Sequence, residues 1–205
     1  MCEVTVTLSD CEPSNCVTGI ESPTTNLNTS EISDVVLDYK FAHLNVNGWT
    51  VKNNKLRQGI LLSLDADIIS INETHEKVEG LISLPGYIWF SSKRLKHHVK
   101  AVKVYGGIGM FVKECIARDF NIRILDKSYD GIMVTRFTHK LSRFTFVTVT
   151  SYLPPESSPW GRDSVSFFNH IVSEIYGLEE CDLLLLSGDL NARIGNKNDF
   201  IVDID

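Results

Sequence analysis

A run of four leucines, Leu183 to Leu186, constrains the fold more than any other part of the sequence. A short apolar run bounded by polar residues is typical of a strand buried on both faces of a sheet. Gly188 permits a tight turn directly after this run, and Asp189 and Asn191 follow. A carboxylate and an amide at the end of a central strand suit a functional site better than a core. The alternative is an ordinary turn, because these residue types are common in turns.

Three further segments repeat this pattern, in which an apolar or β-branched strand is followed directly by polar residues. The segments cover residues 39–44, 67–71 and 144–150. Asn45 follows the first segment, Glu73 lies just past the second, and Tyr152 lies just past the third. If all four strands end on the same side of their sheets, amide, carboxylate and phenol side chains converge at one place.

This set of side chains has a chemical logic. The carboxylate of Glu73 suits a hard cation such as Mg²⁺, which usually takes one or two protein carboxylates together with water and substrate phosphate. Asp189 could orient or deprotonate an attacking water, with Asn191 and Asn45 fixing its position. The hydroxyl of Tyr152 could hold a phosphate oxygen. The set therefore predicts hydrolysis of a phosphodiester.

Five short motifs, taken in order, resemble those of the endonuclease/exonuclease/phosphatase superfamily. They are LNVNG at 44–48, INET at 71–74, YGGIG at 105–109, SYLP at 151–154 and GDLN at 188–191. Each motif is weak alone, but five in the right order form a specific pattern over most of the chain. Within the superfamily, residues 152–156, 158–163 and 188–195 look most like the endonuclease domains of non-LTR retrotransposons. Those domains nick target DNA so that reverse transcription can be primed.

The resemblance implies a metal-dependent DNA endonuclease that uses Mg²⁺ or Mn²⁺. By position in the motifs, Glu73 becomes the metal ligand and Asn45 an active-site polar residue. Asp189 becomes the residue that activates water, Asn191 its positioning partner, and Tyr152 a phosphate contact. The implied partner is the DNA phosphate backbone, with no membrane and no small-molecule cofactor beyond the metal.

Two features depart from the motifs of this superfamily. Asn47 stands where the related repair enzymes commonly have an acidic residue, so it is a weaker second metal ligand. Family members also end in a catalytic Asp-His dyad, whereas no histidine follows His170 and the sequence stops at Asp205. The domain is therefore expected to be C-terminally truncated and its hydrolysis impaired. Two alternatives stay open: a relative acting on RNA or a small phosphate ester, and a catalytically inactive nucleic-acid-binding fragment.

The order of elements predicts an α/β (α+β) four-layered sandwich, in which two packed mixed β-sheets are flanked by helices. Apolar residues at helical spacing predict helices over 54–64 and 162–177. Strands are predicted at 108–112, 120–125, 131–137 and 144–150, and the second sheet is expected to be incomplete. The side chains expected to face the core from the second helix are Val165, Phe168, Ile171, Val172 and Ile175.

Charge is distributed unevenly along the chain. Residues 1–35 contain six acidic residues and no Lys or Arg, so they account for the whole net charge of −6. This segment has few aromatic residues and little periodicity, which predicts a disordered acidic tail. The partial endonuclease/exonuclease/phosphatase domain is expected over residues 36–205, which carry equal numbers of acidic and basic residues.

A basic segment lies within this neutral part. It contains no acidic residue between positions 91 and 113, and its candidate DNA contacts are Lys93, Arg94, Lys96, Lys100 and Lys103. Such a segment suits a phosphate backbone, although a solvated loop would have the same composition. Five cysteines without a disulfide or zinc spacing, and no signal-like segment, favour an intracellular protein, with the nucleus as one option.

Overall fold

The computed structural model describes residues 2–8, 37–76, 80–94, 105–155, 158 and 163–191 of the 205-residue chain. The strands in these ranges are β1 Cys2–Leu8, β2 Leu37–Asn45, β3 Ile68–Asn72, β4 Tyr87–Ser92, β5 Ile108–Lys113, β6 Phe120–Asp126, β7 Ile132–His139, β8 Thr145–Tyr152 and β9 Leu183–Asp189. The helices are α1 Asn54–Leu62, α2 Glu114–Asp119 and α3 Ser164–Tyr176, and a single 3₁₀ turn, Val51–Asn53, precedes α1.

The strands form two sheets, with the order β1-β2-β3-β5-β4 in the first and β6-β7-β8-β9 in the second. Each sheet contains one parallel pair, β2 with β3 and β8 with β9, and the remaining pairs are antiparallel. A parallel pair requires a crossover connection, and α1 and α3 provide the two crossovers. The carboxyl ends of both strands of a parallel pair therefore lie at the same edge of their sheet.

The apolar side chains are sorted into three layers. Between the sheets, Phe146 stacks on Phe137 at 4.4 Å and contacts Phe120 edge-on at 5.4 Å. On the outer face of the first sheet, Leu61 of α1 is fully buried. On the outer face of the second sheet, Phe167 of α3 packs over β7 and β8. The predicted four-layered sandwich of two mixed sheets flanked by helices is confirmed.

The predicted apolar face of α3 is partly wrong. Val165, Phe168 and Val172 were expected in the core, but their side chains are 70, 40 and 48% exposed. Of the expected set, Ile171 is buried and Ile175 is partly buried beside it, and the same stripe also contains Phe167, which was not expected there. The helix carries two adjacent apolar stripes, and periodicity alone does not decide which one faces the sheet.

Strand β9 is also less buried than the run of four leucines led us to predict. Leu184 and Leu186 are 37 and 48% exposed, whereas Leu183 and Leu185 pack against the layer between the sheets. Among the described residues, β9 pairs with β8 alone and forms the edge of the second sheet. Within the described part of the chain, the outer face of β9 is only partly covered at Leu184 and Leu186, so the run of leucines is buried on one face.

The prediction of a disordered N-terminal segment does not hold for residues 2–8. These residues form β1, which pairs antiparallel with β2 from Cys2 opposite His43 to Leu8 opposite Leu37. Alternating Val and Thr over positions 4–7 favours a strand, and the acidic composition of the wider segment obscured this signal. Residues 9–36 lie outside the described residues, so the predicted boundary near residue 35 stays a prediction.

We expect Phe146→Ala to lower the free energy of unfolding by about 3–5 kcal/mol, because it removes the ring at the centre of the layer between the sheets. Urea unfolding followed by circular dichroism measures this loss. Leu141→Ala is the control, since Leu141 is 89% exposed and its truncation should change the value by no more than about 0.5 kcal/mol. Equal effects of the two substitutions would contradict the described packing.

Candidate active site

The ends of four strands meet at one edge of the sandwich. Asn45 at the end of β2 is paired with Asn72 of β3, and Tyr152 at the end of β8 is paired with Asp189 of β9. A buried hydrogen bond of 3.0 Å from Asn72 Nδ2 to the carbonyl oxygen of Ser151 joins the two sheets directly beneath this edge. The convergence expected from the strand ends is therefore present.

Backbone hydrogen bonds hold the loops of this edge in register beyond the strands. The loop after β3 lies between the loop after β2 and the loop before β5. The bonds are Val46 N to Asn72 O, Gly48 N to Glu73 O, Trp49 N to Thr74 O, Thr74 N to Gly107 O and His75 N to Gly106 O, at 2.7–3.1 Å. Glu73 is thereby fixed with a φ of 52°, which a residue other than glycine adopts only when its surroundings impose it.

Two motif glycines are required by this close packing. Gly107 has a φ of +83°, and a Cβ atom there would lie 2.4 Å from Thr74 Oγ1. Gly48 has a φ of +87°, and a Cβ atom there would lie 2.9 Å from His75 Nδ1. Because neither position accepts a side chain without movement of its neighbour, both glycines serve to hold the loop that carries Glu73.

The side chain of Asn45 joins the two carboxylates of the site. Its Nδ2 donates hydrogen bonds to Glu73 Oε1 at 3.0 Å and to Asp189 Oδ2 at 2.9 Å. Its Oδ1 accepts a hydrogen bond from the backbone N–H of Asn47, which sets the orientation of the amide. Asn45 therefore uses both amide protons to hold two acidic groups from different sheets next to each other.

Tyr152 completes this cluster as a hydrogen-bond donor. Its hydroxyl donates to Glu73 Oε1 at 2.8 Å. Burial raises the pKa of Tyr152 well above its usual range, and the hydrogen bond and negative charge of Glu73 raise it further. The phenol therefore keeps its proton at neutral pH, and Glu73 Oε1 receives donors from both Asn45 and Tyr152.

The remaining two asparagines of the predicted set lie at the rim. Asn191 donates its backbone N–H to Asp189 Oδ1 at 3.0 Å and its side-chain Nδ2 to the carbonyl oxygen of Leu153 at 2.8 Å. It therefore fastens the turn after β9 to the end of β8 and orients the Asp189 carboxylate. Asn47 is exposed, and its contact with the site is the backbone hydrogen bond to Asn45.

One residue near the carboxylates, His75, was missed by the sequence analysis as a part of the site. His75 Nε2 lies 3.7 Å from Glu73 Oε2, and its ring contacts Tyr105 edge-on. Its position two residues after Glu73 was the available signal. Arg94, predicted as a DNA contact in the basic segment, donates to the Tyr105 carbonyl oxygen at 2.9 Å. Burial lowers the pKa of Arg94, while the nearby charge of Asp130 acts in the opposite direction.

Arg94 places one end of the predicted basic segment beside the site. Lys93 and Arg94 follow β4 and are partly exposed. A Cβ atom on Gly106 would lie 3.5 Å from Arg94 Nη1 and 4.0 Å from Tyr152 Cε1, so the guanidinium and the phenol ring flank the same glycine. The other three predicted contacts, Lys96, Lys100 and Lys103, lie outside the described residues.

Comparison with solved structures identifies the architecture. The AP endonuclease LMAP from Leishmania major superposes with a TM-score of 0.57 at 17% identity, over 75% of this chain and 55% of that chain. The human Nocturnin catalytic domain matches at 16% identity and a TM-score of 0.46, over 73% of this chain and 60% of that chain. An endonuclease/exonuclease/phosphatase family protein from Bacteroides thetaiotaomicron matches at 16% identity and a TM-score of 0.46, over 74% and 62%.

The chain has the fold of this AP endonuclease. It spans about half to two thirds of the length of the solved structures it resembles. No protein-family model matches the sequence, and no curated protein matches it either. In the described part of the chain, no helix combines the length and the apolar character that crossing a bilayer requires.

The residues at this edge of the sandwich fit a divalent cation at Glu73. The side chain of Glu73 is 21% exposed, and its Oε1 already accepts two hydrogen bonds. Its Oε2 faces the His75 ring at a distance longer than a hydrogen bond. A carboxylate oxygen that takes part in neither of these two hydrogen bonds suits Mg²⁺ or Mn²⁺, which bind a few carboxylates and complete their shell with water.

A second polar layer lies directly beneath the carboxylates. His43, Ser70 and Ser187 each precede a residue at the site edge by two positions, so they face the same side of their strands. His43 Nδ1 and Ser70 Oγ share a hydrogen bond of 2.7 Å, and Ser70 Oγ and Ser187 Oγ share one of 3.1 Å. The chain of contacts ties β9, which carries Asp189, to the first sheet.

This layer borders a cavity of about 170 Å³ between the sheets, lined by Phe41, Met110 and Leu185 as well as by the polar side chains. Burial lowers the pKa of His43 to about 4, although the charge of Asp189 acts in the opposite direction. The buried Nε2 of His43 has no hydrogen-bond partner among the described residues. His43 is therefore neutral in the folded protein at neutral pH.

We expect His43 to make the fold less stable as the pH falls. Because its pKa is about 4 in the folded chain and about 6.5 in the unfolded chain, the unfolded state binds more protons between these values. His43 therefore contributes a loss of about 3 kcal/mol as the pH falls from 6.5 to 4, and the full contribution is present above pH 6.5. Urea unfolding at several pH values measures the loss.

The variant His43→Asn isolates this contribution, since asparagine retains a hydrogen-bonding group near Ser70 but does not titrate. The free energy of unfolding of the variant should depend less on pH than that of the original chain over this range. The variant His139→Asn is the control, because His139 lies at the end of β7 and is not part of the layer of His43, Ser70 and Ser187. Equal pH dependence of the original chain and His43→Asn would contradict a buried neutral histidine.

Proposed function

We propose that the chain carries the site of a Mg²⁺-dependent phosphodiester hydrolase, and that its substrate is DNA, which it nicks as retrotransposon-type endonucleases do. The observation that carries the proposal is the hydrogen-bonded cluster of Asn45, Glu73, Tyr152 and Asp189 at the edge of the two sheets. Its fold is one on which an AP endonuclease is built. Because fold does not determine substrate, the choice of DNA depends on the motifs and on the basic residues beside the cluster.

Glu73 is the group that would hold the metal ion, with Asn47 as a weaker second ligand. When bound, Mg²⁺ or Mn²⁺ polarises a phosphoryl oxygen and stabilises the leaving oxygen. The hydrogen bonds from Asn45 and Tyr152 occupy one oxygen of Glu73 and leave the other oriented away from them. The two donors therefore fix the direction in which Glu73 presents its ligand atom, which is how outer partners tune a metal site.

Asp189 is the proposed general base. One of its oxygens accepts a hydrogen bond from Asn45 and the other accepts from the backbone of Asn191. Both contacts leave lone pairs on the carboxylate, so Asp189 can accept a proton from a water molecule that attacks phosphorus. Asn45 holds this base within reach of the metal-binding carboxylate, which positions the water relative to the substrate phosphate.

Substrate binding is assigned to the basic side chains next to the cluster. Arg94 lies near Tyr152, and Lys93 precedes it at the end of β4. A guanidinium forms paired hydrogen bonds with phosphate, and each neutralised phosphate makes binding to DNA more sensitive to salt. Lys96, Lys100 and Lys103 extend this basic segment in the sequence and are proposed to contact neighbouring phosphates.

We expect the 205-residue chain to convert supercoiled plasmid into nicked circles slowly in the presence of Mg²⁺, because the sequence predicts impaired hydrolysis, and not at all in the presence of excess EDTA. Glu73→Gln and Asp189→Asn should each lower the nicking rate about 100-fold or more, because they remove the metal ligand and the base. The rates are measured by separating the plasmid forms on agarose gels. Glu180→Gln is the matched control, since this exposed carboxylate lies outside the cluster.

Parallel measurements separate the proposal from its alternatives. Salt-dependent binding to duplex DNA without nicking, by protein shown to be folded by circular dichroism, would indicate a nucleic-acid-binding fragment. Hydrolysis of RNA or of a small phosphate ester in preference to DNA would indicate a different substrate for the same site. Nicking that persists in both Glu73→Gln and Asp189→Asn would overturn the assignment of the site.

A further inference from the structure

A second group of potential metal ligands lies at the other side of the second sheet. Asp126 at the end of β6 and His170 and Glu174 of α3 each direct one donor atom into a region in which these atoms lie within 4.8 Å of one another. Strands β7 and β8 separate β6 from β9, which carries Asp189. The group is therefore distinct from the Asn45 and Glu73 cluster.

Local contacts orient each of the three side chains. Asp126 Oδ1 accepts a hydrogen bond from the backbone N–H of Ser128, so Oδ2 is the oxygen that faces His170. The ring of His170 stacks on Tyr129 with centroids 4.8 Å apart, which sets the plane of the imidazole. His170 and Glu174 are four residues apart on α3 and therefore lie on the same face of the helix.

One ring nitrogen faces both carboxylates. His170 Nε2 lies 3.0 Å from Asp126 Oδ2 and 3.9 Å from Glu174 Oε1. A single N–H group can donate a good hydrogen bond to one of these oxygens but not to both. The three side chains are 17, 23 and 30% exposed, so the second carboxylate is held partly out of water without a donor from His170. A cation at this point would satisfy all three groups.

We propose that Asp126, His170 and Glu174 bind a divalent transition-metal ion, with Zn²⁺ as the preferred ion. In a four-coordinate zinc site the ligand atoms lie about 2.0–2.2 Å from the metal and so about 3.4 Å apart. The two separations from His170 Nε2, 3.0 and 3.9 Å, lie on either side of this value. A small rotation of the Glu174 side chain brings the third donor into range.

The donor set determines which ion is preferred. One imidazole and two carboxylates suit Zn²⁺, whereas Mg²⁺ prefers oxygen ligands and an octahedral shell of water. The two sites therefore differ in metal, since the Glu73 site offers carboxylate and amide oxygens. A bound ion would link α3 to the end of β6, and should stabilise the folded chain against unfolding in proportion to its affinity.

The proposal is tested with the full chain, after removal of metal with EDTA and dialysis, by isothermal titration calorimetry with Zn²⁺ and by thermal unfolding with and without Zn²⁺. We expect one ion per chain and a higher midpoint of unfolding with Zn²⁺. His170→Gln and Glu174→Gln should each weaken binding at least about tenfold. The glutamine side chain of His170→Gln can still donate a hydrogen bond to Asp126. In EDTA, the variant should therefore have the same midpoint of thermal unfolding as the original chain.

Two controls exclude other sources of binding. Glu73→Gln should bind Zn²⁺ at Asp126, His170 and Glu174 with unchanged affinity, which separates this result from the proposed nuclease site. Co²⁺ as a spectroscopic substitute distinguishes the thiols, since cysteine ligands produce an intense charge-transfer absorption and the proposed ligands do not. The proposal is overturned if Zn²⁺ has no effect, if His170→Gln binds as tightly as the original chain, or if Co²⁺ reports thiolate ligation.

Discussion

Packing of the two sheets against each other positions everything else in the molecule. The layer between them is built from aromatic side chains, with Phe146 in contact with Phe41, Phe120 and Phe137. Each sheet contributes one parallel pair, and both pairs end at the same edge of the sandwich. A closely packed aromatic layer resists sliding of one sheet over the other. The ends of the two parallel pairs therefore keep a fixed position relative to each other, and side chains from different sheets can form short hydrogen bonds.

Polar contacts across this edge follow the two-residue period of the strands. Asn45 joins the carboxylates at the top, and the layer of His43, Ser70 and Ser187 lies one step below it. Both layers reach from the first sheet to β9, which in the described part of the chain pairs with β8 alone. The position of Asp189 therefore depends on hydrogen bonds from the other sheet as well as on its own strand.

Hydrogen bonds in the upper layer also account for the choice of residue types. Asn45 supplies two amide protons to two carboxylates, which an aspartate at this position could not do. Tyr152 remains protonated next to Glu73 because burial and negative charge both raise its pKa. Three side-chain hydrogen bonds, two from Asn45 and one from Tyr152, therefore hold the two carboxylates next to each other.

Much of this arrangement could be predicted from the sequence, because its causes are local. Runs of apolar and β-branched residues predicted the strands, helical spacing predicted α1 and α3, and polar residues after the strands predicted that Asn45, Glu73, Tyr152 and Asp189 would meet. These signals depend on the alternation of side chains along a strand and on the common edge of parallel strands. The catalytic roles of the four residues remain predictions.

Tertiary structure decided the features that depend on which surfaces meet. Periodicity left two apolar stripes on α3, and only contact with β7 and β8 selected the one with Phe167. Leu184 was expected to be buried on sequence grounds, but its side chain lies on the outer face of β9 and is 37% exposed. Asp126 and His170 are 44 residues apart, and no spacing rule connects them.

The sequence by itself determined which segments form strands and where polar groups follow them, because those are properties of neighbouring residues. The pairing of distant faces, edges and side chains depended on how the two sheets and their helices pack.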